Sequence, residues 1–217
     1  TLLRDEKQIS GELRERYLSI SLDKAERLED LINEFFEITR FNLSNITLVY
    51  GKINLTRMLE QLAYEFQPML AGRNLDIAFD IQADIMLSCD ADKLQRVFDN
   101  LLRNAVSYST PGGRVDIQAK TVGRQAEITI RNEGLEIPEG ELANIFQKFY
   151  RLDAARSSRT GGAGLGLAIA KEIVESHGGN IRCESNGRLT SFVISLPLYK
   201  EVRHVFKRNR AGLSEPK

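Results

Sequence analysis

The chain has 217 residues, 42% of them hydrophobic, which is enough for one large domain, or one domain and a smaller element, with a buried core. Thirty basic and thirty acidic side chains cancel, so no global field favours nucleic acid or an anionic membrane as a partner. The only cysteines, Cys89 and Cys183, have neither a metal-ligand spacing nor the pattern of a disulfide framework, which favours a reduced cytosolic setting.

The chain opens with TLLRDEK rather than with a methionine, and it begins in the middle of a helical pattern. No apolar run approaches the roughly 18 residues that a membrane span needs, and no signal peptide is visible. We therefore expect a piece of a longer protein, with any membrane-spanning segments upstream of Thr1.

A long amphipathic helix is predicted over residues 11–41, with Ser10 as its N-cap. The apolar piece before it predicts the end of another helix, so residues 1–45 are expected to form part of a helical hairpin. Such a hairpin buries its apolar stripe poorly alone, which favours a partner chain and a four-helix bundle. The alternative is packing against the rest of this chain. The stripe consists of Leu13, Tyr17, Ile20, Leu28, Leu31, Phe35 and Ile38.

A second unit, residues 46–199, is predicted after the tract NLSNITLVYGK, which breaks the helical period and is interpreted as a linker. Helical and alternating patterns are mixed, and neighbouring strands look antiparallel, so we predict an α+β fold with one layer of helices on a mixed sheet. The basic, polar residues 200–217 are predicted to be a surface extension. In chain order the predicted elements are a helix over 54–73 stopping at Gly72, a strand over 75–82, a helix over 90–109 capped by Asp90, a hairpin around Gly123, a helix over 161–179 and strands over 180–186 and 190–198.

The stretch GGAGLGLAIAKEI has four glycines in its first six residues and then becomes amphipathic. Glycines let the backbone approach an anion closely, and a helix N-terminus supplies free N–H groups. The alternative is a glycine-rich turn before a closely packed helix. A dinucleotide-binding turn is excluded because the preceding residues are polar and irregular, and a Walker loop because Leu167, not lysine, follows Gly166.

Other polar positions precede this loop. Asn100 and Asn104 lie four residues apart, on one helix face, and an amide oxygen suits Mg²⁺, which is bound through few protein groups together with phosphates. The turn RNEGLEIP ends a strand with a polar side chain and a glycine, a suitable place to bind a base edge. The segment IFQKFYR adds an aromatic pair.

This order of motifs resembles the catalytic domain of sensor histidine kinases, within the ATPase superfamily that includes gyrase and the Hsp90 chaperones. The resemblance covers nearly the whole chain. It implies a two-layer α/β sandwich preceded by part of a dimerisation and histidine-phosphotransfer hairpin. The segments EFFEITRFNL and KFYRLDAARSSRTGGAGLGLAIAKEI further resemble the sensor kinases of vancomycin-resistance systems. Asn100 and Asn104 match the asparagine box, residues 132–138 the first glycine box, Phe146 and Phe149 the phenylalanine box, Gly162, Gly164 and Gly166 the second glycine box, and residues 190–192 the closing strand motif.

The resemblance assigns roles at the base and metal. Asn104 would hold Mg²⁺ bridging the phosphates of ATP, with Asn100 supporting it. Tyr108 would stack on the adenine, although an amphipathic boundary position is the alternative. Asn132 would accept a hydrogen bond from the adenine amino group, and Gly134 would let the base come close.

At the phosphates, the resemblance implies a mobile lid formed by YRLDAARSSRTG. Arg151 would contact the phosphates together with the backbone amides of the glycine loop, and the alternative is that it is an ordinary solvated surface charge. For Phe146 and Phe149 the alternative is that both only pack in the core. The loop residues are Gly162, Gly164, Leu165 and Gly166.

Three positions depart from the kinase family, and a fourth differs from the ATPase branch of the superfamily. Asn132 and Glu136 replace the aspartate and the second glycine of the first glycine box, which predicts weaker ATP binding because a charge-assisted hydrogen bond is lost. Ser107 stands where the family often has a lysine. Asn100 stands where the ATPase branch has a glutamate that activates water, which favours a kinase over an ATPase.

The phosphoacceptor is expected outside this chain. His177, at the end of a helix, is expected to have a cationic or capping role, and His204 lies in the basic tail. The chain should therefore bind ATP–Mg²⁺ without autophosphorylating alone. The resemblance implies transfer of the γ-phosphoryl group of ATP to a histidine and then to a response-regulator aspartate. It also implies a homodimer through the hairpin and a place on the cytoplasmic side of a bacterial plasma membrane. A nucleotide-binding dimerisation scaffold is a further alternative function.

Overall fold

The computed structural model describes residues 11–22, 24, 25, 28, 32, 47–152 and 164–199. Residues 11–22 are helical (α1), which confirms the start of the first predicted helix. Its side chains Leu18 and Leu22 are exposed. The remainder of the predicted hairpin, Ser10 and the C-terminal extension fall largely or wholly outside the described residues.

Two sheets form from alternating sequence segments. The main sheet has the strand order β2-β4-β5-β7-β6; β2 pairs with β4 in parallel and every other pair is antiparallel, so the expected mixed sheet is confirmed. β1 and β3 form a small antiparallel sheet of their own. The strands are β1 (Gly51–Asn54), β2 (Asp76–Ile81), β3 (Met86–Cys89), β4 (Arg114–Val122), β5 (Gln125–Glu133), β6 (Asn180–Asn186) and β7 (Leu189–Pro197).

The helices after β1 cover one face of the main sheet. Phe98 of α4 and Phe192 of β7 are among the largest fully buried side chains of the core between the two layers. This two-layer α/β sandwich confirms the predicted fold class. The helices are α2 (Leu55–Glu65), α3 (Gln67–Ala71), α4 (Ala91–Tyr108) and α5 (Gly166–Ser176), with 3-10 turns at Glu139–Glu141 and Asn144–Phe146.

Two predictions about the first part of this domain are wrong. The helix predicted as continuous to Gly72 divides at Phe66, because Pro68, near the start of α3, lacks the N–H that would continue the ladder of α2. The tract NLSNITLVYGK is predicted to be a linker throughout, but its last two residues, Gly51 and Lys52, belong to β1 and pair with Cys89 and Ser88. A four-residue strand is too short to show a clear alternation.

The two thiols are buried in the core and free. Burial, and secondarily the neighbouring Asp90 and Glu184, raises the pKa of Cys89 and of Cys183 to about 12. Both therefore stay protonated at neutral pH and act as small apolar side chains. Among the described residues no helix combines the length and apolarity required to cross a bilayer.

Candidate functional site

The long helix α4 carries three predicted site residues on its C-terminal half. Asp90 caps its N-terminus by accepting the N–H of Lys93, as predicted. The amide nitrogen of Asn100 donates to the carbonyl of Gly166 at 3.1 Å, which ties α4 to the first turn of α5. Asn104, one turn later, is half-buried. Tyr108 ends the helix with 45% of its surface exposed.

The end of β5 lies against the last turn of α4. Asn132 is 3% exposed and continues the row of core-facing side chains of its strand. A Cβ on Gly134 would lie 2.4 Å from the carbonyl oxygen of Tyr108, and a backbone bridge joins Gly134 to Ser109. The lack of a side chain at Gly134 therefore lets the end of α4 pack against β5. The sequence predicts a different reason for this glycine, the close approach of the adenine base.

In the part of the chain that the structure describes, no side chain caps the start of α5. Its N-cap is the buried Leu165, which makes no side-chain hydrogen bond to the helix, and no acidic residue lies in the first turn. The first N–H groups of a helix have no partner within it, and they favour an anion. Gly164 precedes with φ +80°, a conformation that glycine adopts without strain, and its carbonyl accepts the N–H of Phe149 at 3.0 Å. Gly162 lies outside the described residues.

The residues before this loop resolve the alternatives for the aromatic pair. Phe146 packs on the core, edge-on to Phe192 at 6.3 Å between centroids. Phe149 is instead 64% exposed with φ +65°, so the core interpretation is wrong for it. Arg151 is half-buried beside the glycine loop, since a Cβ on Gly164 would lie 3.2 Å from its Cγ.

A polar cluster holds Tyr150 next to Arg151. The hydroxyl of Tyr150 and the amide of Asn144 both donate to one carboxylate oxygen of Glu141. The Tyr150 hydrogen bond, followed by that of Asn144, lowers the pKa of Glu141. The cluster therefore fixes the chain where it leaves the 3-10 turns.

Two further residues support this arrangement. His177 is buried, and its two ring nitrogens each contact a backbone group, so of the two roles expected for it, cationic or capping, these contacts confirm capping at the end of α5. Arg73 donates to the carbonyls at the end of α4. No sequence pattern indicates the target of Arg73, because that contact joins segments more than 30 positions apart.

Apart from Arg151, the polar groups gathered here are neutral amides and backbone N–H groups. Within the described residues, no group of three or more histidine, cysteine or acidic side chains forms a metal cluster, and Asn104 offers a half-buried neutral amide. Amide oxygens suit Mg²⁺ that reaches a protein together with phosphates. Asn104 and the start of α5 thus fit a magnesium-bound phosphate chain, carried on a two-layer α/β sandwich.

The chain belongs to the histidine kinase-, DNA gyrase B- and HSP90-like ATPase family, whose model matches residues 89–200. It is 52% identical over 182 residues to the sensor protein VanS of Enterococcus faecium, covering 84% of this chain and 47% of that protein. It is 45% identical over 197 residues to the sensor protein VanSC of Enterococcus gallinarum, covering 91% of this chain and 54% of that protein. The resemblance to sensor histidine kinases is thereby confirmed, and the chain spans about half the length of these relatives.

The fold is also similar to that of the histidine kinase ThkA, whose structure was determined in complex with the response regulator TrrA. The TM-score is 0.74 with 23% identity, covering 91% of this chain and 55% of that one. At this identity the likeness concerns the fold alone.

Proposed function

We propose that this chain is the ATP-binding catalytic core of a sensor histidine kinase, which passes the γ-phosphoryl group of ATP to a histidine and then to an aspartate of a response regulator. The observation that carries the proposal is the hydrogen bond from Asn100 to Gly166, which holds the amide face of α4 against the uncapped N-terminus of α5. Family membership and the two Enterococcus relatives support it.

The proposed residue roles divide between a phosphate end and a base end of the site, both along the C-terminal half of α4. At the phosphate end, Asn104 holds Mg²⁺, which neutralises phosphate charge when bound, and the first N–H groups of α5 bind phosphate oxygens. Arg151 adds a cationic contact. The participating loop residues are Gly162, Gly164, Leu165 and Gly166.

At the base end, the buried Asn132 accepts a hydrogen bond from the adenine amino group, and the exposed ring of Tyr108 stacks on the base. The γ-phosphorus bond to the bridging oxygen breaks, a bond to the acceptor imidazole nitrogen forms, and ADP leaves. Positioning supplies most of the rate enhancement.

Asn100 separates the kinase from the ATPase alternative. An amide cannot take a proton from water at neutral pH, and general-base assistance is worth about 10²–10⁴ in rate. Its amide nitrogen, moreover, is a donor to Gly166, which an ionised glutamate cannot be. We infer slow hydrolysis, which leaves the γ-phosphoryl group for another acceptor.

The acceptor histidine and the partners lie outside this chain in the proposal. His177 is buried and hydrogen-bonded at both nitrogens, so it is not the acceptor. Exposed leucines on α1 favour a homodimer through the predicted hairpin. Similarity to VanS supports signalling in glycopeptide-antibiotic resistance, with this domain on the cytoplasmic side of the membrane and attached through segments beyond it.

The test mixes this chain with γ-labelled ATP and a separate polypeptide carrying the histidine-bearing helix of the bundle. Label on the histidine supports the kinase. Free phosphate in excess of the labelled histidine supports the ATPase, and ATP binding with neither product supports the dimerisation scaffold. An Asn104→Ala variant should abolish transfer if the metal is held there.

A further inference from the structure

Arg73 lies between α3 and β2, outside every motif described above, and its side chain reaches the end of α4. One terminal nitrogen, Nη1, donates to the carbonyls of Val106 and Ser107, both at 2.6 Å. The other, Nη2, donates to the carbonyl of Ser109 at 3.1 Å. A single guanidinium thus binds three backbone carbonyls where the helix ends.

These contacts answer a specific need of the helix. The last carbonyls of an α-helix have no partner within it and form the negative end of its dipole, so a cation there is stabilising. The planar fork of arginine donates several hydrogen bonds in a fixed geometry, which the single ammonium of lysine does not reproduce. Arg73 is half-buried, which reduces competition from water.

The same helix end forms one wall of the base end of the site. The Tyr108 carbonyl faces Gly134 so closely that no Cβ fits between them, and Ser109 is bridged to Gly134. The position of the Tyr108 ring relative to Asn132 therefore depends on where this last turn lies. Arg73 bonds the residues on both sides of Tyr108 in the chain.

We propose that Arg73 is a positioning residue that sets the geometry of the base end of the nucleotide site and thereby its preference for adenine. This rests on the proposed function, in which Tyr108 and Asn132 bind the base. The phosphate end is held separately by the hydrogen bond from Asn100 to Gly166, two turns earlier on α4. Loss of Arg73 therefore affects base recognition more than phosphate binding.

The experiment compares Arg73→Gln and Arg73→Lys with Arg182→Gln, a change at an exposed arginine on β6 whose partner among the described residues is Glu184. Dissociation constants for ATP, GTP and inorganic triphosphate are measured by calorimetry with Mg²⁺, well below the unfolding temperature of each variant. Arg73→Gln should weaken ATP about tenfold. It should reduce the ATP-over-GTP preference and leave triphosphate binding within about twofold. Arg73→Lys should resemble Arg73→Gln, since charge alone does not restore the fork.

Each outcome has one meaning. ATP affinity and preference equal to those of Arg182→Gln, with only a lower unfolding temperature, would overturn the role of Arg73 and leave the proposed function intact. Equal weakening of ATP and triphosphate would also overturn it. Failure of the unaltered chain to bind ATP would overturn the proposed function itself and this role with it. Where Arg73→Gln does not fold, Arg73→Lys decides.

Discussion

The Nε2 atom of His177 lies 3.0 Å from the backbone nitrogen of Asp90 and accepts its N–H. The Nδ1 atom of the same ring lies 2.8 Å from the carbonyl oxygen of Ile173, to which it donates. These partners assign a neutral imidazole with the proton on Nδ1. The ring joins the N-cap of α4 to the last turn of α5, the two helices that provide the amide and glycine parts of the site.

Replacing His177 by alanine should lower the free energy of unfolding by about 1–3 kcal/mol, because it leaves the buried N–H of Asp90 without an acceptor. Urea unfolding measures the change. Ser176→Ala, at the exposed neighbouring position, is the control and should change stability by less than about 0.5 kcal/mol. Equal effects of the two substitutions would contradict the assigned role.

Asp90→Asn should lower the free energy of unfolding at neutral pH, and this loss should be smaller at acidic pH. Burial raises the pKa of Asp90, but the N–H groups of Val49 and Lys93 bind its carboxylate and outweigh this, so the pKa lies below its ordinary value. A lowered folded pKa gives stability that is present above the unfolded value of about 3.9 and is lost as pH falls through the folded one.

The stability difference between the unaltered chain and Asp90→Asn should therefore be about 1–2 kcal/mol at neutral pH and shrink below pH about 4. Urea unfolding at both conditions measures it. A difference that stays constant with pH would mean that the carboxylate charge contributes nothing here.

Gly134→Ala should reduce both stability and ATP affinity. The added methyl would lie 2.4 Å from the Tyr108 carbonyl, so the last turn of α4 must shift, at a cost of about 1–3 kcal/mol. Gly140→Ala is the matched control, since a Cβ there has nothing within 4 Å. Thermal unfolding and calorimetric ATP titration separate the two effects. Indistinguishable behaviour of the two variants would rule out the steric argument.

Asn132→Asp should tighten ATP binding and weaken the ligand-free protein. A carboxylate accepts a hydrogen bond from the adenine amino group with charge assistance, worth up to about tenfold in affinity. Without ligand the carboxylate would be buried at a position only 3% exposed, which favours unfolding. The ligand-free unfolding temperature should fall, while the rise in unfolding temperature that ATP causes should become larger. An unchanged or lower affinity would disprove adenine recognition by Asn132.

Asn100→Asp should loosen the contact between α4 and α5. It keeps the shape of the side chain but replaces the donor to the Gly166 carbonyl by an oxygen that repels it, at a cost of about 1–3 kcal/mol. ATP affinity should fall as the start of α5 moves. The control Asn180→Asp changes the same chemistry at an exposed position where β6 begins. Similar losses in both variants would point to general charge effects.

Much of the fold follows from local pattern. The alternation on β5 places Ala126, Ile128 and Ile130 on the buried face, and Asp90 begins α4 as its side chain predicts. The division at Phe66 and the strand β1 were missed because a helix period continues across Pro68 and because a four-residue strand gains its identity from a distant partner.

The site was predictable to the extent that its spacing is local. Asn100 and Asn104 share a helix face by their four-residue spacing alone. The reason for Gly134, the neutral state of His177 and the reach of Arg73 all arise from contacts between segments distant in the chain. Those contacts have no signature in a single sequence, because either side of each pair is an ordinary residue in its own surroundings.

The strand order has a consequence for how the domain is made. Among the described strands, β6 pairs with β7 alone, and β7 lies between β5 and β6, although it is the last of these strands to be synthesised. Neither β5 nor β6 can complete its pairing until Pro197 has left the ribosome. With such sequence-distant pairing, folding is expected to be slow and to follow translation rather than accompany it.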